Sequence, residues 1–178
     1  MACVEESETK YPYLIEVVGK SGYGKTAFVD HCLKLLKEED PSWLIAKGRC
    51  FHQENVPYPG FDELFDNLAM QLSKSDEAEV CKVLPRNLES LTGMFPVIGG
   101  VPAVRKALDE SNRSHDHNSR KGATDGLEEL VARIGHFKRL VWAIDDFQFA
   151  NLESNKLLRL ILDSRLSPKI IICLFIHI

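Results

Sequence analysis

Tyr13-Leu14-Ile15-Glu16-Val17-Val18 runs directly into Gly19-Lys20-Ser21-Gly22-Tyr23-Gly24-Lys25-Thr26, after which Ala27, Phe28, His31, Leu33, Leu35 and Leu36 recur among Lys and Glu. A short β-branched run ended by glycine predicts a buried parallel strand. The recurring apolar positions predict a helix, and Asp40-Pro41 stops it. The loop between them matches G-x-x-x-x-G-K-[ST] at every fixed position. Its chemistry explains its spacing. Glycines let the backbone curl and turn N–H groups inward without Cβ clashes. The helix that follows aims free N–H groups and its positive dipole end at the same point. Gly19, Lys20, Ser21, Gly22, Tyr23, Gly24, Lys25 and Thr26 are therefore candidate phosphate-binding residues. Lys25 supplies a charge for the β- and γ-phosphates, and Thr26 a hydroxyl for Mg²⁺.

Such a site needs a second half, an acid at the end of another buried strand. Leu140-Val141-Trp142-Ala143-Ile144 ends in Asp145-Asp146, 120 residues beyond Lys25. Mg²⁺ prefers hard oxygen ligands and keeps several waters, so Asp145 is the candidate metal partner beside Thr26. Asp146 is the candidate to orient or deprotonate an attacking water. A helix cap is the structural alternative for two acids at a strand end.

The rest of the chain supplies the frame. Trp43 to Cys50 and Ile170 to Ile178 read as further strands. Pro57-Tyr58-Pro59-Gly60 turns into a helix whose stripe, Phe61, Leu64, Phe65, Leu68 and Leu72, reads as core packing. Short helices are expected around Asp76 to Val83 and through Leu88 and Leu91. Phe95 to Gly126 carries no clear period. The run from Ser111 to Arg120 reads as an exposed loop, with His115 and His117 solvated rather than metal-bound. Helical spacing resumes at Leu127, Leu130, Val131 and Ile134, with Gly135 as the expected stop. A helix through Leu157 to Leu162 is expected to break at Ser167-Pro168. Strands alternating with helices make this an α/β chain with a mainly parallel sheet.

Composition agrees. The 178 residues are 44% hydrophobic and 27% charged, as in globular domains. Twenty-two basic residues against 26 acidic ones leave no general basic field, which argues against a nucleic-acid partner. Five scattered cysteines without a C-x-x-C pair argue against a zinc site or a disulfide framework and point to a reducing, cytoplasmic setting. The acidic start does not read as a leader, and no apolar run approaches bilayer length, so neither a leader nor a membrane role is expected.

The Gly19–Thr26 loop and the segment Leu140-Val141-Trp142-Ala143-Ile144-Asp145-Asp146-Phe147-Gln148-Phe149-Ala150 resemble AAA-type P-loop ATPases of the signal-transduction (STAND-like) branch. Within it, the nearest resemblance is to origin-recognition-type AAA ATPase domains, which occur in large regulators and multidomain sensor kinases. Arg49-Cys50-Phe51-His52-Gln53-Glu54-Asn55-Val56-Pro57-Tyr58 is similar to that family's loop after the second strand. The resemblance implies a P-loop NTPase three-layer sandwich over residues 13–178, preceded by a tail over 1–12. It implies ATP and Mg²⁺ as ligands, Asp146 and Gln148 as water-positioning residues, and other domains of a larger regulator as partners. It also places the last strand between the two motif-bearing strands.

Family members carry a Gly-Arg box and a helix before the first strand. They also carry an arginine near the end of the last strand, then a further strand and a lid. This sequence shows none of these, so the sandwich is expected to be incomplete at both ends. His177 stands where that arginine would fall and reads as a polar residue at a strand end. Three functions stay open: an ATP-binding, ATP-hydrolysing regulatory module; a P-loop small-molecule kinase with Glu54 as its acid; and a non-catalytic nucleotide-binding interaction module. No guanine-reading Asn-Lys-x-Asp string is present.

Overall fold

Apolar β-branched runs alternate with amphipathic helical stretches, and the chain folds accordingly into layers. A computed structural model describes residues 11–52, 56–111, 119–166 and 168–178. The strands are β1 (Tyr13–Gly19), β2 (Leu44–Arg49), β3 (Leu140–Asp145) and β4 (Ile170–His177). The helices are α1 (Lys25–Glu39), α2 (Phe61–Ser73), α3 (Glu77–Val83), α4 (Leu88–Met94), α5 (Pro102–Ser111), α6 (Arg120–Phe137) and α7 (Leu152–Leu162). Short 3₁₀ turns occupy Pro96–Gly100 and Phe147–Phe149.

The sheet order is β1-β4-β3-β2, and all three pairings are parallel. The last strand therefore lies between the two motif-bearing strands, as the resemblance implies. Side chains alternate across a sheet. Leu140, Trp142 and Ile144 of β3, with Ile170, Ile172 and Leu174 of β4, face a large core built with α2, α4, α6 and α7. Val141, Ala143, Cys173 and Phe175 face the other way, onto Val29 and Leu33 of α1. The result is a three-layer α/β sandwich. The α2 stripe is core throughout, and Phe61 and Phe65 set their rings edge-on to Trp142.

Three expectations need correction. β1 is not buried. It forms one edge of the described sheet, and Ile15 and Val18 are 47% and 51% exposed. Apolar sequence reports strand propensity, and the covering of each face depends on which helices reach it; those of the large core pack over β2, β3 and β4. Gly135 does not stop α6, which continues to Phe137. A Cβ at Gly135 would sit 2.8 Å from the Lys169 backbone nitrogen, so this glycine lets the helix approach the start of β4. Finally, α7 ends at Leu162, before the Ser167-Pro168 pair. The Ser164 hydroxyl bonds Glu128 Oε1 at 2.5 Å and ties the chain to α6.

Glu54, His115, His117 and residues 1–10 of the tail lie outside the described residues. Cys32, Cys81 and Cys173 are not in disulfides. Among the described residues, no helix is long and apolar enough to cross a membrane.

Candidate functional site

Parallel strands bring all their C-terminal ends to one edge of a sheet, where the loops of an open α/β fold form its crevice. Here that edge carries Gly19, Arg49, Asp145 and His177. The register sets Gly19 beside His177 and Arg49 beside Asp145. With the loop after β1, Arg49, Asp145 and His177 line a cleft of about 670 Å³. Small-molecule sites span roughly 300–1,000 Å³. A second cavity, of about 180 Å³, lies among Leu44, Leu72, Val80, Val83 and Ile134. It contains none of the motif residues.

The loop has the form its glycines allow. Gly22 and Gly24 have φ of 80° and 78°, the left-handed region that glycine enters freely. Around both, the space that a side chain would take is open. α1 begins at Lys25 with no side-chain cap and no acid in its first turn. Its first N–H groups are thus left to an anion. Tyr23 stands at the exposed tip.

Lys25 is only 8% exposed. Its ammonium donates to the carbonyls of Gly19 at 2.7 Å and Lys20 at 3.0 Å, and lies 3.0 Å from His177 Nδ1. The Thr26 hydroxyl donates to Asp145 Oδ2 at 3.0 Å. The two candidate metal partners, distant in sequence, therefore touch. Hydroxyl and carboxylate oxygens beside a phosphate loop are the hard donor set that Mg²⁺ prefers, so these residues fit that ion. Asp145 Oδ1 accepts from the Asp146 backbone N–H at 2.9 Å, which fixes the carboxylate's orientation.

Asp146 is 7% exposed and adopts φ 54°, a strained region for a residue other than glycine. Its side chain makes no capping bond to the 3₁₀ turn that follows, so the helix-cap alternative does not hold. Oδ2 accepts twice from Arg49, at 3.0 and 2.8 Å. Oδ1 accepts from Gln148 Nε2 at 3.1 Å and lies 2.7 Å from His177 Nε2. Burial pushes the carboxyl's pKa up. Hydrogen bonds from Arg49 and Gln148, with the Arg49 charge, outweigh burial and hold it below the ordinary value. The same bond raises Arg49. Gln148 also holds the strand end, because its Oε1 accepts from the His177 backbone N–H at 3.1 Å. In this arrangement Gln148 ties β4 to the acid while it lines the cleft.

Of the residues the sequence singled out, Ser21, Gly22, Gly24, Lys25, Thr26, Asp145, Asp146 and Gln148 line the cleft; Gly19 and Lys20 join it through their carbonyls on Lys25, and Tyr23 stays exposed outside it. Arg49 and His177 belong to the same cluster and escaped that reading. His177 is the polar strand end that the sequence suggested, and it also touches Lys25 and Asp146, which that reading did not foresee. The signal was available: each is the last residue of its strand, and a parallel sheet sends such residues to one edge. Asp145, Asp146 and His177 also bring one ligand atom each within 4.8 Å of the others.

The chain matches the family described as AAA ATPase domain over residues 1–173. It belongs to that family, whose domains bind nucleotide. No curated protein and no solved structure matches.

Proposed function

We propose that this AAA ATPase domain binds Mg-ATP in the cleft at the strand ends and hydrolyses it to ADP and phosphate as a regulatory module. The observation that carries the reading is the meeting of Thr26 with Asp145 beside the uncapped start of α1. The loop N–H groups and the helix dipole draw the triphosphate to the loop, and Lys25 balances its charge. Thr26 and Asp145 would hold Mg²⁺, which when bound offsets charge on the phosphate oxygens. Phosphoryl transfer is mostly positioning and charge stabilisation. In this reading Asp146 orients the attacking water and takes its proton. For that, its carboxylate exchanges a partner among Arg49, Gln148 and His177 for water.

ATP over GTP follows the family. In the regulatory role, of the STAND-like kind, nucleotide occupancy sets the position of the β4 end and of whatever domains contact it. Binding without turnover is a second reading, favoured by the engagement of both Asp146 oxygens. The kinase reading has no support among the described residues.

Thermal unfolding with and without Mg-ATP, followed by phosphate release on the same samples, tests these readings. Ligand at 100 times its Kd stabilises the native state by about 2.7 kcal/mol. Saturable stabilisation of the wild type that Lys25→Ala abolishes is the expected result. Equal stabilisation of the mutant would defeat the proposal. Stabilisation without phosphate release would select the second reading.

A further inference from the structure

An ammonium has three protons to donate and no lone pair to accept with. The contacts of Lys25 account for all three: Gly19 O, Lys20 O and His177 Nδ1. Two of these acceptors are backbone carbonyls of the loop itself, five and six residues away, and they move only if the loop is rebuilt. The third comes from 152 residues away and is released by turning one side chain.

Because Lys25 can only donate, His177 Nδ1 accepts. Its other nitrogen then carries the hydrogen and donates to Asp146 Oδ1 at 2.7 Å. A neutral imidazole so placed bridges the lysine and the acid. A phosphate oxygen on Lys25 needs the same donor that the imidazole now takes. Phosphate and imidazole are therefore alternative third partners of one ammonium.

We propose that His177 is a built-in competitor for the phosphate position on Lys25, so that nucleotide enters only as the imidazole leaves. This rests on the Mg-ATP reading above. The device is autoinhibitory, and it couples the loop to β4. Asp146 loses one hydrogen bond when the imidazole turns away. Gln148 bonds both Asp146 and the His177 backbone N–H, so a change at the acid is passed to the strand end through one side chain.

Calorimetric titration of Mg-ATP onto wild type, His177→Ala and Lys25→Ala tests the competition. Release of one hydrogen bond to a charged donor predicts binding about tenfold tighter in His177→Ala than in wild type. Binding in that mutant equal to or weaker than wild type overturns the competition. If wild type binds, Lys25→Ala does not and His177→Ala gains nothing, the nucleotide reading stands and the competition alone falls. If neither wild type nor His177→Ala binds, both fall. Imidazole ¹⁵N spectra of the wild type make the test independent of how the mutant folds. The protein alone should show His177 with Nδ1 bare and Nε2 protonated, and saturating Mg-ATP should shift both signals. Unchanged His177 signals at saturation would refute the exchange.

Discussion

Asp146 shows how much of the site is decided by single hydrogen bonds. Its carboxyl is held below the ordinary value because Arg49 and Gln148 outweigh the cost of burial. The native state therefore releases this proton more readily than the unfolded chain does. The stabilisation is complete at neutral pH and is lost as pH falls below the ordinary carboxyl value of 3.8 and through the lowered native one. Asp146→Asn keeps a side chain that tolerates the left-handed backbone and removes the charge. We expect it to lower stability at pH 7 by about 1–2 kcal/mol. The gap to wild type should shrink in urea titrations below about pH 4. A gap that stays constant with pH would mean that the ion pair contributes nothing. At this scale the sequence was generous with the loop and the two aspartates, whose chemistry is written in adjacent residues. It concealed Arg49 and His177, whose roles exist only once four strands share an edge.

At the scale of elements, α6 explains both a success and a failure of sequence reading. Its buried face is Ala123, Gly126, Leu127, Leu130, Val131, Ile134 and Gly135, an unbroken helical stripe. Only the large apolar members carry a visible period, so the helix reads as starting late and ending early. The glycines are part of the stripe because neighbouring backbone lies against them: Asn87 O at Gly126 and the Lys169 backbone at Gly135. Gly135→Ala should therefore destabilise. Helix propensity alone favours alanine by about 1 kcal/mol, but crowding against backbone in a packed contact costs about 1–3 kcal/mol. Urea unfolding of the mutant should show a lower midpoint with an unchanged slope. A raised midpoint would contradict the close approach. β1 carries the opposite lesson. Its composition is that of a buried strand, yet Tyr13, Leu14, Ile15 and Val18 are exposed. Composition reports what a segment prefers to do, and exposure depends on which neighbours cover it.

Across the whole molecule, order and direction were legible: strands alternating with helices, parallel pairing, and the last strand at the centre. The stretch from Phe95 to Gly126 was not, because its elements are short, proline-initiated or built on glycine. The fold matters to function through one geometric consequence. Residues far apart in the chain, Lys25 with His177 and Thr26 with Asp145, meet only when the four strands are assembled. Nucleotide binding should therefore report the assembled sheet as well as the loop. The most direct measurement is an equilibrium titration of ATP onto the wild-type chain and Lys25→Ala, each with magnesium and with magnesium chelated. The account predicts saturable binding by the wild type that weakens when magnesium is removed, and none by the mutant. Wild-type binding indifferent to both magnesium and Lys25 would place the nucleotide elsewhere and contradict it.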